Sequence, residues 1–325
     1  MSNILIAEQK KKILEKFKER FSSLDFCEHF AESLIPKNDT SILFTNSTIV
    51  ALKKYINGVE PLIQGKYIIQ PCIRFQNFDY EDKNSTFISY MSYFNQLGVL
   101  APPQDFSKLM TSIEKLFFQD FNLSKNRFII KSTRRFNEKS QLYKISPQNF
   151  NVSFYEDTSF KYFQWNYGLS NVVGEGVTFA IQTTGNTYLD CGNIVEIKYQ
   201  DQIVGYEFGF GLETLASRLL RYQTPVFCSQ VSASLPQYVD QNYDLFKDML
   251  QLSVEMVKLG IKPGKNKRKA LLRKSLIIMA KEAVRLKISD HDVNDAIESY
   301  VFFIDYEKSV VTDLQKAFAA RKNSL

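Results

Sequence analysis

The spacing of hydrophobic positions changes character near Pro236. Before it, Ile13, Leu14, Phe17 and Phe21 recur at helical intervals among lysines and predict an amphipathic surface helix over 8–21. After the breaker Pro36-Lys37-Asn38-Asp39, the apolar stretch 41–56 predicts a short strand running into a helix. The runs 66–75 and 86–94, rich in β-branched and aromatic residues, predict two strands joined by a polar loop over 76–85. Pro102-Pro103 precedes a predicted helix over 106–121, and 127–132 returns to strand. From 151 to 210, short strand-like runs alternate with turn signals such as Gly174-Glu175-Gly176 and Thr184-Gly185-Asn186. Beyond Pro236 the period is helical, over 240–259, 267–286, 290–303 and 306–321, with Ser289 and Asp292 spaced as a capping box.

This pattern predicts an α+β fold: a mostly antiparallel sheet flanked by helices over 1–238, then an all-α domain over 239–325. With 44% apolar and 14% aromatic residues, the 325-residue chain can bury a substantial core. No window reaches the roughly 18 uninterrupted apolar residues of a membrane span, and the N-terminus lacks the ordered regions of a secretory signal. A cytoplasmic protein with no membrane partner is expected. Cys27, Cys72, Cys191 and Cys228 are widely separated and form no CxxC pair, which argues against a disulfide framework and against zinc. With only His29 and His291, chemistry that needs a cluster of imidazoles is excluded.

The net charge of +6 is unevenly placed. Between Lys258 and Lys287 eleven basic residues face one acid, Glu282, a local +10, so the rest of the chain sums to −4. Polyanion-binding potential is therefore concentrated in one segment, and phosphate contact needs only cations so placed.

Leu34-Ile35-Pro36-Lys37-Asn38-Asp39, continued by Leu43-Phe44-Thr45-Asn46 and followed by Gln70-Pro71-Cys72-Ile73-Arg74, resembles the opening and class II motif 2 of alanyl-tRNA synthetases. Asp190-Cys191-Gly192-Asn193-Ile194-Val195 resembles the acidic strand of that family, and Gly209-Phe210-Gly211-Leu212-Glu213 its motif 3. Gly260, Pro263, Arg268, Leu272 and Arg273 follow the spacing of the family's segment behind the catalytic domain. The resemblance spans about 12–287 and implies a class II synthetase core followed by the start of a tRNA-recognition domain. It covers neither the editing domain nor its zinc ligands.

What the resemblance implies residue by residue is specific. Arg74 would bridge the amino-acid carboxylate and the ATP α-phosphate, where a guanidinium fork suits two anions at once. Glu207 stands where the family has an aspartate for the substrate ammonium group. Asn193 and Val195, two apart on a strand, would face the amino-acid pocket that Trp165 walls. Gly209 and Gly211 would allow close approach of ATP, and the adenine-stacking position falls at Phe87 or Ile88. Asp190 would lie near Mg²⁺, a hard cation suited to oxygen ligands shared with phosphates. Lys265, Asn266, Lys267, Arg268, Arg273 and Lys274 would face the tRNA acceptor stem.

Besides Glu207, two departures stand out. Thr214 replaces the family's ATP-binding motif 3 arginine, with Arg218 one helical turn further on either as its substitute or as a helix-surface arginine, and Phe78 replaces a motif 2 lysine. The leading expectation is ATP-dependent activation of a small amino acid, alanine or glycine, and transfer to tRNA, an alanine-tRNA ligase type of reaction. The alternatives are a paralogue that charges a non-tRNA acceptor or takes aminoacyl-tRNA as donor, and a non-catalytic tRNA-binding module.

Overall fold

The computed structural model describes residues 3–37, 41–82, 88–134, 136, 151–155, 162–165 and 167–323. They fall into two compact units. The first comprises Met1–Glu32, Ser47–Gln70 and Asn95–Gln223; the second comprises Ser33–Asn46, Pro71–Phe94 and Thr224–Leu325. Mainly antiparallel sheet and a run of helices together make the α+β fold that the hydrophobic pattern predicts.

The sheet strands are β1 (Cys27–Glu28), β2 (Lys66–Ile73), β3 (Tyr93–Ala101), β4 (Phe128–Thr133), β5 (Asn151–Tyr155), β6 (Gln164–Trp165), β7 (Val172–Gln182), β8 (Tyr188–Tyr199) and β9 (Gln202–Gly211). Their order is β1-β2-β3-β9-β8-β7-β4-β5, with β6 paired to β7. Pairing is parallel at β1–β2 and β4–β5 and antiparallel through the centre. The predicted strand over 86–94 forms later, at Tyr93–Ala101. Leu97, Val99, Leu100 and Ala101 are fully buried, and a strand covered on both faces loses the alternation by which a strand is read. Of the short strand and helix predicted within 41–56, the helix forms and the strand does not; Thr45 instead donates its N–H to Leu34 O and accepts from Ile73 N–H, isolated bonds rather than a ladder.

Alternating positions of the central strands build two different faces. On one, Phe208 and Phe210 meet Phe17 and Phe21 of helix α1 (Asn3–Ser22), with ring centroids 5.7 Å apart for Phe17–Phe210 and 6.1 Å for Phe21–Phe208, and Phe179 packs beside Phe208. Helix α3 (Phe106–Lys115) continues as a π-helical turn over Leu116–Asp120, which adds Phe117 to the same layer. Each of these rings, when fully buried, contributes roughly 1.5–3 kcal/mol. The other face carries helix α2 (Thr48–Ile56), which packs Ile49, Leu52 and Ile56 against Leu100, Val195 and Ile197. Helix α4 (Leu212–Leu219) follows β9 directly.

The second unit gathers α5 (Gln230–Ser234), α6 (Asp244–Lys258), α7 (Lys267–Arg285), α8 (Asp290–Phe303) and α9 (Lys308–Lys322). Helices α7 and α8 keep their predicted spans to within a residue, and the predicted cap is present: Asp292 N–H donates to Ser289 Oγ at 3.1 Å, and Ser289 Oγ donates to the Asp292 carboxylate at 2.6 Å. Helix α6 starts four residues later than predicted. Residues Gln241–Tyr243 form a 3-10 turn, held by the Asp240 carboxylate accepting from Asn242 N–H at 2.8 Å. Every residue of α6 from Asp244 to Met256 is buried, four charged side chains included. Phe44, Ile73, Phe78, Ile88 and Phe94 join its core.

Candidate active site

Glu207 lies on β9, opposite Leu100 of β3 and Val195 of β8, and Val195 in turn faces Gly176 of β7. Two residues along, the next row on the same face reads Gly98, Gly209, Asn193, Thr178 and Lys131. The structure thus brings Glu207, Val195, Asn193 and Gly209 onto adjacent rows of one sheet face.

The Glu207 side chain is only 6% exposed. Its Oε1 accepts from the Thr48 hydroxyl at 3.1 Å and its Oε2 from the Tyr167 hydroxyl at 3.1 Å. Thr48 opens α2, and its N–H donates to Gln96 Oε1 at 3.3 Å. Gly98 makes this approach possible: a Cβ there would stand 2.5 Å from Thr48 Oγ1 and 2.6 Å from its methyl. Burial, and then the neighbouring Glu207 carboxylate, push the Tyr167 hydroxyl well above the usual tyrosine range, so it remains a donor at neutral pH.

Trp165 on β6 pairs with Gly174. The Asn193 amide, turned so that both its ends are satisfied, accepts from Trp165 Nε1 at 3.1 Å and donates to Gly209 O at 3.2 Å. Val195 is fully buried beside Ile49, Leu52 and Leu100, with Trp165 and Tyr167 packed at the edge of that cluster. A Cβ at Gly209 would lie 3.1 Å from Gln96 Nε2, and Gly211 is the residue from which α4 starts.

Asp190 and Arg218 meet each other in the first unit. Asp190 forms an ion pair with Lys131 at 2.8 Å and accepts from the Tyr162 hydroxyl. A magnesium ion on Asp190 would have to displace these donors, one of them already a cation. As it stands the carboxylate does not fit the ion. Arg218, 1% exposed, donates from Nε to Asp190 O at 3.3 Å and from Nη1 to Ser217 Oγ at 3.1 Å, to Tyr222 O at 3.3 Å and to Gln223 O. Thr214 is buried in α4, and neighbouring Glu213 accepts from Lys10 Nζ at 3.2 Å and Asn95 N–H at 3.1 Å.

Arg74 belongs to the second unit. Its N–H donates to Ser92 O at 2.8 Å, its Nε to Asn46 O at 2.7 Å, and its guanidinium lies over the Phe94 ring at 5.0 Å. Phe78 is buried under Lys274, whose Nζ is 5.3 Å from the ring centroid. Of the two adenine-stacking candidates, Phe87 lies outside the described residues, and Ile88 is buried in the helical core.

Helix α7 presents Lys267, Lys274 and Lys281 to solvent and buries Leu272, Leu276, Met279 and Ala283. Lys265 and Asn266 just before it are exposed, and Asn266 caps the helix by accepting from Lys269 N–H at 2.9 Å. Arg268 donates to Leu43 O at 2.8 Å and lies over Phe44, while Arg273 is half-buried. Sequence reasoning missed Thr48, Gln96, Tyr167 and Lys131. Thr48, two residues after the Leu43-Phe44-Thr45-Asn46 block, and Tyr167, two residues after Trp165, stood close enough to quoted residues to be found.

No protein-family model and no curated protein matches the chain. Among solved structures it is similar to the asparaginyl-tRNA synthetase of Entamoeba histolytica in complex with asparaginyl-adenylate, at 12% identity and a TM-score of 0.43 over 70% of this chain and 66% of that one. It is also similar to the asparaginyl-tRNA synthetase of Pyrococcus horikoshii complexed with asparaginyl-adenylate, at 11% identity and a TM-score of 0.43 over 70% and 68% of the two chains. The histidyl-tRNA synthetase of S. aureus, in its apo form, matches at 14% identity and a TM-score of 0.40 over 65% and 69%. The chain thus spans about two thirds of the length of the synthetases it resembles. No helix among the described residues is long and apolar enough to cross a membrane.

Proposed function

We propose that the protein activates a small amino acid with ATP, alanine or glycine first, and passes the acyl group to the acceptor end of a tRNA. The observation that carries this reading is the sheet face itself: a buried carboxylate, Glu207, beside the Asn193 amide, the Trp165 ring and the apolar wall of Val195. A buried acid beside apolar side chains suits an ammonium group with a small side chain, and its two hydroxyl donors fix it in place before substrate arrives. Arg74 would supply the positive charge that carboxylate attack on the α-phosphate requires. In this reading residues 1–238 carry activation, and 239–325, through the exposed lysines of α7, carry contact with RNA phosphates. The test is amino-acid-dependent exchange of pyrophosphate into ATP. Exchange with alanine or glycine is expected, and its absence with every small amino acid would overturn the reading.

A second reading keeps the acyl chemistry but takes aminoacyl-tRNA as donor and a non-tRNA acceptor. Two observations favour it: Arg218, the stand-in for the motif 3 arginine, has its guanidinium committed to backbone carbonyls, and Phe78 is buried where a lysine would have reached phosphate. Transfer of labelled alanine from charged tRNA to a small amine without ATP separates the two readings.

A further inference from the structure

Helix α6 carries an acid that the proposed chemistry does not use. Asp248 is fully buried and lies entirely within the second unit with its partners. Its Oδ1 accepts from Ser92 N–H at 2.8 Å; its Oδ2 accepts from Ser92 Oγ at 2.6 Å and from Asn77 Nδ2 at 2.8 Å. Asn77 and Ser92 flank the two ends of the segment that follows Arg74. Asn77 Nδ2 also donates to Tyr90 O at 2.7 Å, tying the two ends directly to each other. The peptide of Ser92 is therefore gripped on both sides, its N–H by Asp248 and its carbonyl by Arg74 N–H at 2.8 Å.

The carboxylate costs the helix core something. Neighbouring buried positions of α6 are Leu245, Met249, Leu250 and Leu252, so an apolar residue at 248 would satisfy packing alone. Burial pushes the Asp248 carboxyl up, and the Ser92 and Asn77 hydrogen bonds oppose that shift. What an apolar residue could not do is satisfy three donors from Asn77 and Ser92 with a single group.

We propose that Asp248 is a positioning residue for Arg74: it holds Ser92, and through Ser92 the backbone from which the Arg74 guanidinium projects. The inference rests on the reading of Arg74 as the ligand of substrate carboxylate and phosphate, but its geometric half can be measured without that reading. The full chain would be compared with D248N, in which the amide NH₂ confronts a donor, and with S253A, which breaks the buried bond from Ser253, further along α6, to Ser275 of α7. Two readouts are taken: the rate of phenylglyoxal modification at Arg74, followed by mass spectrometry, and pyrophosphate exchange.

D248N is expected to raise Arg74 modification severalfold and to lower kcat of exchange about ten- to hundredfold, by analogy with the loss of a hydrogen-bond partner behind a metal ligand. S253A is expected to leave both within about twofold at a similar loss of thermal stability, by the usual independence of separated sites. If the wild type shows no exchange, the activation reading fails, and the modification rates alone decide about Asp248. Equal modification in wild type, D248N and S253A, or a kcat loss in D248N no larger than in S253A, overturns the inference. Should D248N fail to fold, N77A and S92A each remove one side-chain donor and leave the carboxylate others, and they carry the same expectation and the same overturning result.

Discussion

Tyr167 donates its hydroxyl to Glu207 at 3.1 Å, and the other oxygen of that carboxylate accepts from Thr48 at the same distance. One buried acid thereby joins the segment after β6 to the first turn of α2 across β9. Removing the phenol in Y167F leaves a buried carboxylate short of a donor. Hydrogen bonds to charged groups contribute about 1.5–3 kcal/mol, so urea unfolding should show a loss of that size. If Glu207 also holds the substrate ammonium, KM for the amino acid should rise more than kcat falls. A neutral Y167F in both assays would remove Glu207–Tyr167 as a structural link.

Arg74→Lys keeps the positive charge but not the fork. Loss of one preorganised donor at the reacting phosphate costs about 10²–10³ in kcat, and that drop is expected in pyrophosphate exchange. The thermal midpoint should hold within a few degrees, because the lysine stem can still lie along Phe94. Wild-type exchange rates in R74K would show that the guanidinium is not at the reacting centre.

Two glycines separate tolerance from intolerance on the sheet face. At Gly176 an added Cβ would stand 2.1 Å from the Ile194 carbonyl oxygen, whereas at Gly209 its nearest neighbour is the end of the Gln96 side chain at 3.1 Å. G176A should destabilise by at least the roughly 1–3 kcal/mol typical of overpacking, and G209A by clearly less, as read from their thermal midpoints. The opposite order would mean the strands are not packed as described.

Three of the solvent-facing lysines of α7, seven residues apart, can be tested together. If Lys267, Lys274 and Lys281 contact RNA phosphates, replacing all three by glutamine should lower the slope of log affinity against log salt by about 2 to 3, since each phosphate contact contributes about 0.9 on a duplex and about 0.7 on a single strand. An unchanged slope in filter binding with a tRNA would place the RNA surface elsewhere.

Burial, opposed first by Lys247, pushes the Asp244 carboxyl from its ordinary 3.8 up to about 6. Between those two pH values the folded chain keeps a proton that the unfolded chain has released, so stability is larger below the window and falls as pH rises through it. A shift of that size corresponds to on the order of 3 kcal/mol. Burial raises Asp248 and Glu255 in the same direction. Urea unfolding is therefore expected to show greater stability at pH 5 than at pH 7, with a smaller difference in D244N. Stability that rises from pH 5 to 7 would contradict the assignment.

Much of this molecule was legible before folding was considered. The period-3.6 pattern of 267–286 and 290–303 is a property of neighbouring residues, and both helices stand where it predicts them. The period of two likewise puts Asn193 with Val195 and Glu207 with Gly209 on common faces once each run is read as a strand. Strand β3 was misplaced because its buried run over 97–101 alternates with nothing. The helix over 106–121 was legible, but its closing π-turn depends on Leu116 and Phe117 reaching the core.

By itself, the sequence determined the change from sheet to helices and the basic helix, because each is written in neighbouring residues, and it singled out Arg74, Glu207, Asn193 and Trp165 as candidates. Only the tertiary structure decided what those groups touch. Thr48 is 159 residues from Glu207, and Asp248 is 156 from Ser92. No local spacing encodes such pairs. They are selected when burial leaves a polar atom a choice between a partner and none, and that choice exists only after the strands have closed over it.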